Sequence, residues 1–435
     1  MSVHTHKDPN KKRIIIIGAG FAGIHLAKSL SKSEFEIVLI DRNNYHCFQP
    51  LLYQVATAGL ETGTISYPIR RLLQRYKNFR FYWGDVTTVN TETKTVRLQT
   101  SVAEELLEYD MLVIATGTST NFFQFEAKKG MFMSLKSIPE ALNLRSYILQ
   151  NMELAVMEES EEKRAELLNI AIVGGGPTGV ELAGALAEMK NHILPKDYPE
   201  LNIERMQISL FQRGERILDM LHPTLSQKAL EYLRKMGVNV YLKTAVTDYD
   251  GDDLTLNNTE KFPTDTVIWA AGVKAYPPMG LEEATILPNG RIQVDENLKI
   301  LGYDDIYAMG DIAYLPCTAY PNGHPQVAPV AIDMAAHFVK NLKLIARKLP
   351  TKGFVYKNKG SMAVVGRNRA VVDLPNYKTG GTIAWFIWMF VHLMSLVGFR
   401  NKIAAIFTWA YSYFTYDKAL RLIIRPYKRE EKSEM

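Results

Sequence analysis

Cysteine is scarce in this sequence, and its two copies, Cys47 and Cys317, lie far apart in the 435 residues. The chain contains no CxxC pair, which argues against a zinc site and against a local redox disulfide. Its nine histidines show no spacing typical of metal ligands, so we expect no metal. The N-terminal residues also lack the apolar core of a signal peptide, and a cytoplasmic body is the expectation.

No apolar run is clearly long enough to cross a membrane, although one near the C-terminus is borderline and leaves a span open. An aromatic-rich segment, Ile383 to Phe399, holds seventeen residues without a formal charge, whereas a spanning helix needs about 20 apolar residues. The residues after it mix aromatic side chains with lysine and arginine, as in a helix that lies in a membrane surface. Residues 377–435 carry nine Lys and Arg against four Asp and Glu, which accounts for the net charge of +5. We therefore expect amphipathic helices on an anionic membrane surface, and no nucleic acid as partner.

A strand, a glycine-rich turn and a helix follow one another near the N-terminus. Ile14 to Ile17 form a short apolar run typical of a buried parallel strand. Gly18, Gly20 and Gly23 then make a GxGxxG pattern. Its first glycine permits the tight turn, its second lets a pyrophosphate approach, and its third lets helix and strand pack closely. Asp41 ends the next predicted strand, 18 residues after Gly23, where a carboxylate binds ribose hydroxyls. Together these features predict a dinucleotide site.

The same unit recurs 156 residues later, where Gly174, Gly176 and Gly179 repeat the pattern between a strand and a helix. The strand that follows ends at Gln212, where NAD sites usually carry Glu or Asp. Glutamine does not repel a 2′-phosphate, and the neighbouring Arg213 could pair with one. The sequence therefore predicts a second nucleotide domain that binds NADH and leaves NADPH open.

Two nucleotide domains in one chain suggest a hydride relay between a bound flavin and a nicotinamide that comes and goes. The order of the segments resembles the two-dinucleotide-binding-domain flavoproteins. Ala115, Thr116 and Gly117, and the pair Gly310–Asp311, match that superfamily's later flavin contacts. By this resemblance Asp311 binds the ribityl chain of FAD. The disulfide reductases of the superfamily need a cysteine pair that this chain lacks.

The block HCFQPLLYQVATAGL, from His46 to Leu60, resembles the type II NADH:quinone oxidoreductases, as do the predicted helix Val327–Leu349 and the aromatic C-terminal region. The resemblance implies an FAD-containing, non-proton-pumping enzyme that takes hydride from NADH and passes two electrons to a membrane quinone. It also implies a homodimer attached peripherally to the cytoplasmic side of the cell inner membrane. Two other functions stay open: an NAD(P)H oxidoreductase with a soluble acceptor, and a nucleotide-sensing flavoprotein with little turnover.

The resemblance also implies roles for single residues. Glu181, on the helix after the second glycine loop, is the candidate proton-handling group, and Lys359 would add a charge near the flavin edge. The family's quinone-side motif AQ-x-A-x-Q aligns so that Pro329 replaces the first glutamine and Asp333 the second. Aspartate is shorter and has no amide donor, so Asp333 either delivers protons in place of glutamine or weakens quinone binding. Further cofactor contacts are implied for Phe21, Ala22, Arg42, Val86, Gly272 and Ala328.

From these features we predict an α/β fold with two Rossmann-like dinucleotide-binding domains and a C-terminal amphipathic helical region that anchors the protein to the membrane. The flavin domain is assigned residues 1–120 and 276–376, and the NAD(P)H domain residues 166–275. A linker and helix occupy residues 121–165, and residues 377–435 form the anchoring helices.

Overall fold

The computed structural model describes residues 7–418 and 420–429. The chain forms two compact units. Unit 1 comprises the residues up to His46, Tyr67–Ser119 and Val273–Asn358. Unit 2 comprises Cys47–Ser66, Thr120–Gly272 and the residues from Lys359 onward.

Strands and helices are numbered in chain order. The strands are β1 (Arg13–Ile17), β2 (Glu36–Asp41), β3 (Tyr45–Cys47), β4 (Ser66–Pro68), β5 (Phe79–Trp83), β6 (Asp85–Asn90), β7 (Thr95–Gln99), β8 (Glu104–Glu108), β9 (Met111–Ile114), β10 (Ser119–Thr120), β11 (Ile170–Val173), β12 (Ile208–Gln212), β13 (Val238–Leu242), β14 (Val246–Tyr249), β15 (Asp253–Leu256), β16 (Glu260–Pro263), β17 (Thr266–Trp269), β18 (Val273–Lys274), β19 (Ile292–Gln293), β20 (Ile306–Ala308), β21 (Ala313–Tyr314), β22 (Ser361–Gly366), β23 (Arg369–Leu374) and β24 (Tyr377–Gly381). The α-helices are α1 (Phe21–Ser29), α2 (Leu52–Ala56), α3 (Thr62–Ile65), α4 (Ile69–Leu73), α5 (Ile138–Met157), α6 (Glu161–Leu168), α7 (Pro177–His192), α8 (Leu194–Asp197), α9 (Pro223–Lys235), α10 (Ala328–Ala346), α11 (Thr382–Ser395) and α12 (Phe399–Thr415). Short 3₁₀ turns lie at Gln49–Leu51, Phe123–Met131, Ile203–Arg205, Glu283–Thr285 and Gly310–Ile312.

Unit 1 is built on a parallel sheet in the order β20–β9–β1–β2–β5. Its central strand β1 is apolar on both faces, and Ile14, Ile15 and Ile16 are fully buried, as a strand covered on both sides requires. Helices α1 and α10 pack against each other, and β6, β7 and β8 form an antiparallel sheet. The carboxyl end of β1 leads into α1, so the first glycine loop opens where α/β sheets bind nucleotides.

Unit 2 repeats this plan with a parallel sheet in the order β13–β12–β11–β17, and α7 follows β11. The antiparallel sheet β22–β23–β24 packs beside α7. It can approach closely because residue 184 is glycine: a Cβ there would lie 1.6 Å from the carbonyl oxygen of Val365. The predicted α/β class with two Rossmann-like domains is confirmed.

Two segments assigned to the flavin domain from the sequence pack in unit 2 instead. The first is Cys47–Ser66, whose helix α2 contacts both α5 and α7. The second is residues 359–376, whose strands β22 and β23 form the predicted hairpin and pack on α7. Both segments pack against α7, although they lie far from it in the sequence. They therefore surround the helix that carries Glu181.

The C-terminal region forms two helices, α11 and α12, as the sequence predicts. Gly398 separates them with a φ of +90°, a backbone conformation that favours glycine. Rings of the two helices meet, with Trp388 and Trp409 centred 6.2 Å apart and Trp385 and Tyr413 5.4 Å apart. In the part of the chain that the structure describes, no helix combines the length and apolar character needed to span a membrane.

Candidate active site

The first glycine loop, in unit 1, combines close backbone packing with one open position. A Cβ on Gly18 would lie 2.4 Å from the carbonyl oxygen of Ala115, and one on Gly23 would lie 1.8 Å from that of Gly18. At Gly20, by contrast, no heavy atom of the described residues comes within 4 Å of that position. The first and third glycines are therefore needed for packing, whereas the second faces the open space that a pyrophosphate requires.

Asp41 is held against this loop, as its place at the end of β2 predicts. Its Oδ2 accepts a hydrogen bond from the N–H of Ala19 at 2.6 Å, and its Oδ1 accepts one from the N–H of Asn43 at 2.7 Å. Burial raises the pKa of Asp41, and both hydrogen bonds oppose that shift by favouring the carboxylate. The carboxylate thus fixes the turn beside which a ribose would bind.

His46 also supports the loop, although the sequence analysis gave it no individual role. It is buried, and its Nδ1 lies 2.8 Å from the carbonyl oxygen of Ala19. Its ring meets Phe21 edge-on, with ring centres 5.4 Å apart. Burial lowers the pKa of His46, so a neutral imidazole stands behind the glycine loop. The signal was its place at the head of the family-like block His46–Leu60.

The later flavin candidates of unit 1 come together near the start of α1. Gly310 has a φ of +77°, and Ala22 and Ala331 lie within 4 Å of where its Cβ would stand. The next residue, Asp311, accepts a hydrogen bond from the hydroxyl of Thr118 at 3.2 Å across 193 positions of sequence. In the same segment Thr116 lies beside Gly18. Among the described residues, nothing comes within 4 Å of where a Cβ on Gly117 would stand. The residues present therefore fit an FAD in unit 1.

Three further candidates for cofactor contact, Arg42, Val86 and Ala328, lie in unit 1. Arg42 forms an exposed ion pair with Asp85 at 3.1 Å, and Val86 follows on the same strand. Ala328 is the first residue of α10. Their contact with a cofactor remains a prediction.

Asp333 and Lys359 also remain predictions as catalytic residues. Pro329 lies in the first turn of α10, where proline is tolerated, and Asp333 is half-buried on the same helix. Burial and Lys28 lower the pKa of His25 on α1, whereas the charge of Asp333 raises it. The Asp333 carboxylate therefore lies near His25. Lys359 is exposed in unit 2.

The second glycine loop, in unit 2, has the geometry of the first. A Cβ on Gly174 would lie 2.7 Å from the carbonyl oxygen of Ala270, and one on Gly179 would lie 2.0 Å from that of Gly174. Gly176 again has open space around it among the described residues. Gly272, with a φ of +109°, packs beside the ring of Phe123. Unit 2 therefore offers a second dinucleotide site.

Gln212 takes the place that Asp41 has in unit 1. Its Oε1 accepts a hydrogen bond from the N–H of Gly175 at 2.9 Å, and its Nε2 donates to the carbonyl oxygen of Arg216 at 3.2 Å. Each loop is thus tied to the end of its second strand by a side-chain oxygen. Only the charge differs, because the carboxylate of unit 1 is replaced by a neutral amide.

Unit 2 also contains a cavity beside α7, here called the inner cavity. Helices α2, α7, α11 and α12 and strand β22 surround it. The residues that matter for its chemistry are Tyr53, Gln54, Glu181, Glu188, Arg367, Trp388, Trp409 and Lys418.

Glu181 is the buried acid of the inner cavity, with 7% of its surface exposed. Its Oε1 accepts a hydrogen bond from the N–H of Val364 at 3.3 Å. Burial raises the pKa of Glu181 to about 8, while that hydrogen bond and the nearby Trp388 indole act in the opposite direction. A carboxyl group with such a pKa holds its proton at neutral pH, and the proton-handling role of Glu181 remains a prediction.

Trp388 covers this acid from α11 and was not identified from the sequence. It is 2% exposed. His392 stacks on it with ring centres 4.1 Å apart and lies 2.8 Å from its carbonyl oxygen through Nδ1. Burial lowers the pKa of His392 to about 4, so an uncharged imidazole backs the tryptophan.

The two cysteines offer little redox chemistry of their own. Cys47 is half-buried in unit 2, and burial raises the pKa of its thiol to about 12, which suppresses the reactive thiolate. Cys317 is exposed in unit 1. Among the described residues, no group of three His, Cys, Asp or Glu side chains is placed to hold a metal ion.

Comparison with known proteins covers nearly the whole chain. Residues 12–335 match the pyridine nucleotide-disulphide oxidoreductase family, and residues 358–415 match the NDH2 C-terminal domain. Type II NADH:quinone oxidoreductase Ndh of Mycobacterium tuberculosis is 33% identical, over 94% of this chain and 90% of that protein. The chain belongs to the type II NADH:quinone oxidoreductase family. The resemblance inferred from the sequence is thereby confirmed.

One further relative and two solved structures are also similar to this chain. Type II NADH:quinone oxidoreductase of Haemophilus influenzae is 31% identical, over 84% of this chain and 87% of that protein. The structure of NDH2 from Plasmodium falciparum in complex with NADH aligns with a TM-score of 0.86 at 21% identity, covering 95% of this chain and all of that one. A sulfide:quinone oxidoreductase from Aquifex aeolicus shares the fold at a TM-score of 0.70 and 16% identity.

The neutral Gln212 leads to a prediction about nucleotide preference in this family member. Gln212→Glu keeps an acceptor for the N–H of Gly175 but adds a negative charge beside the site of a 2′-phosphate. We expect kcat/KM for NADPH to fall by about tenfold or more relative to that for NADH, because like charges placed together are costly. Steady-state kinetics with both nucleotides measures this ratio.

Gln212→Ala is the matched control, since it removes the hydrogen bond from Gly175 without adding charge. It should weaken both nucleotides to a similar degree. An unchanged NADPH-to-NADH ratio in Gln212→Glu would show that this position does not face the adenosine ribose.

Proposed function

We propose that this protein is an FAD-dependent, non-proton-pumping NADH:quinone oxidoreductase, with FAD in unit 1 and NADH in unit 2. Bound FAD would supply the chemistry that accepts a hydride from NADH and passes two electrons to a quinone. The observation that carries the proposal is the repeated glycine loop. In each unit the outer glycines are packed and the middle one, Gly20 or Gly176, faces open space.

The protein's own groups bind and orient the two nucleotides. In unit 1, Asp41 fixes the loop through Ala19, and Asp311 lies at the end of a hydrogen bond from Thr118. In unit 2, Gln212 fixes the loop through Gly175. The pyrophosphates would meet backbone N–H groups at the N-termini of α1 and α7, where the helix dipole favours negative charge.

Glu181 is proposed as the proton donor for quinone reduction. A quinone needs two protons as well as two electrons to become a quinol, and a buried acid with a pKa near 8 holds a proton at neutral pH. The inner cavity around Glu181 is lined by aromatic and apolar side chains as well as this acid, which suits a hydrophobic head group. Asp333 is proposed as a further carboxylate on the quinone side.

Peripheral membrane attachment is proposed through the outer faces of α11 and α12. Phe390 on α11 is 65% exposed and Phe407 on α12 is 71% exposed. Contiguous exposed aromatic side chains of this kind mark membrane or partner surfaces in soluble folds. Lys402 and Arg400 add positive charge to the same segment, which favours anionic lipid. The cytoplasmic side of the inner membrane and a homodimer remain predictions.

Stopped-flow spectroscopy of the purified holoenzyme tests the enzymatic proposal. NADH should bleach the flavin absorbance, and a short-chain quinone should restore it. Glu181→Gln should leave the bleaching step close to wild type but slow the restoring step by about tenfold or more, since general acid catalysis contributes on that order. In the wild type the restoring step should slow as pH rises above about 8, where Glu181 loses its proton.

Each failure in this experiment has a different meaning. Reduction by NADH without reoxidation by quinone would contradict the quinone acceptor and favour a soluble one. Absence of reduction by NADH would favour a nucleotide-sensing protein. A restoring step with the same rate and pH profile in Glu181→Gln would remove only the proton-donor role.

The membrane proposal predicts the behaviour of a surface variant. Phe390→Glu combined with Phe407→Glu places charge on the exposed face and leaves Trp388 and Trp409 in place. We expect flotation with anionic vesicles to be lost, because charged side chains do not enter the acyl region, while the flavin absorbance stays unchanged.

Val102→Glu is the control, because Val102 is a 92% exposed apolar residue in unit 1. It should float with vesicles as the wild type does. Flotation of the double variant at the wild-type level would show that this face does not dock to the membrane.

A further inference from the structure

A row of titratable side chains runs along α7 from the buried acid to the protein surface. Glu181, Glu188 and His192 are spaced i, i+7 and i+11, which places them along one side of the helix. With a rise of 1.5 Å per residue, Glu188 lies about 10 Å and His192 about 16 Å along the axis from Glu181. Glu181 is buried, Glu188 is half-buried and His192 is exposed.

The inner cavity meets a second cavity at the middle of this row. This second cavity is here called the outer cavity. Its lining includes His192, Asn368 and Arg369. Three residues line both cavities: Glu188, Arg367 and Tyr416. Glu188 therefore stands where the two cavities adjoin.

Tyr53 connects Glu188 with Glu181 inside the cavity. It is buried, and burial raises its pKa well above the usual value, with the charges of both Glu181 and Glu188 adding to the shift. Its hydroxyl oxygen accepts a hydrogen bond from Gln54 at 2.9 Å, and Gln54 in turn accepts one from Trp409 Nε1 at 2.8 Å. The phenolic O–H donates to no acceptor among the described residues, so its proton can be passed to either carboxylate through water.

Cations face Glu188 from the elements packed around α7. The backbone N–H of Arg367 donates to its Oε1 at 2.6 Å. The Lys418 ammonium donates to the carbonyl oxygen of Ala185 at 3.3 Å, and burial lowers the pKa of Lys418 while Glu188 opposes that shift. Three further cations lie near His192 at the outer end of the row, since their charges lower its pKa. They are Arg367, Lys196 and Arg369.

The outer cavity also contains a buried polar atom without a protein partner. This atom is Asn368 Oδ1, which has no hydrogen-bond partner among the described residues. Buried donors and acceptors of this kind are normally satisfied by ordered water. Water in both cavities would join the row into one hydrogen-bonded path.

We propose that Glu188 and Tyr53, with the water between them, form a proton-entry route from solvent at His192 to Glu181. This inference rests on the proposed role of Glu181. As a quinone takes two electrons from the reduced enzyme, two O–H bonds form on it: one proton leaves the Glu181 carboxyl, and the other is the proton that NADH delivered with its two electrons as a hydride. The resulting Glu181 carboxylate regains a proton from solvent water through Glu188 and Tyr53.

Glu188→Gln tests the route in the full-length holoenzyme with two readouts. The first is stopped-flow, in which reduction by NADH should stay at the wild-type rate while repeated reoxidation by quinone slows by about tenfold. The second needs no turnover: after mixing with D₂O, infrared spectroscopy follows exchange of the protonated Glu181 carboxyl, identified by its loss in Glu181→Gln. We expect that exchange to slow by a similar factor.

Two further variants make the result specific. Tyr53→Phe removes the hydroxyl but keeps the ring, and it should slow the exchange as Glu188→Gln does. Glu200→Gln is the matched control, since Glu200 is an exposed carboxylate of the same unit that lines neither cavity. It should change neither readout.

Wild-type exchange in Glu188→Gln and Tyr53→Phe would overturn the route. Slow quinone reduction with unchanged exchange would also overturn it, because Glu188 would then act only on structure. If quinone fails to reoxidise the wild-type enzyme, the proposed function fails, yet the exchange measurement still decides whether protons reach Glu181 this way.

Discussion

The carboxyl group of Glu181 is removed from water by packing. The elements that bury it connect the C-terminal helices with the nucleotide-binding sheet of unit 2. Helix α7 begins directly after Gly176, so the glycine loop places Glu181 in the second turn of this helix. Strand β22 supplies the N–H of Val364, and α11 supplies Trp388 as cover. The sites proposed for nucleotide binding, proton supply and membrane attachment thus lie on a few packed elements of one unit.

Local sequence patterns were sufficient to predict the two glycine loops. Strand, loop and helix are adjacent in the chain, and the packed contacts of Gly18, Gly23, Gly174 and Gly179 involve backbone atoms whose positions the fold class dictates. The environment of Glu181 could not be predicted in this way. The groups that desolvate it stand in β22 and α11, and the hydrogen bond from Val364 joins residues 183 positions apart.

Gln212 and Gly398 are two single residues whose structural roles the local sequence predicted only in part. Glutamine at the end of β12 suggested a neutral ribose site, but its hydrogen bond to Gly175 shows that it also holds the loop, as Asp41 does in unit 1. The uncharged run Ile383–Phe399 read as one segment, whereas the left-handed backbone of Gly398 divides it from α12. The hydrogen-bond partner decides the role of Gln212, whereas the backbone conformation that glycine permits decides the break at Gly398.

The C-terminal helices present two different faces. Ala384, Trp388 and Ala405 are buried against unit 2, while Phe390 and Phe407 point outward and are exposed. One face completes the inner cavity, and the other is the surface proposed to contact lipid. Deleting these helices would remove both at once, so only substitutions on the outer face can separate membrane attachment from the chemistry at Glu181.

The central claim is that Glu181 carries a proton at neutral pH because the inner cavity desolvates it. An infrared pH titration of its carboxyl band, assigned by difference from Glu181→Gln, measures this directly. We expect a midpoint near pH 8, because burial favours the neutral carboxyl group. A midpoint near the ordinary value of about 4.3 in the wild type would contradict it.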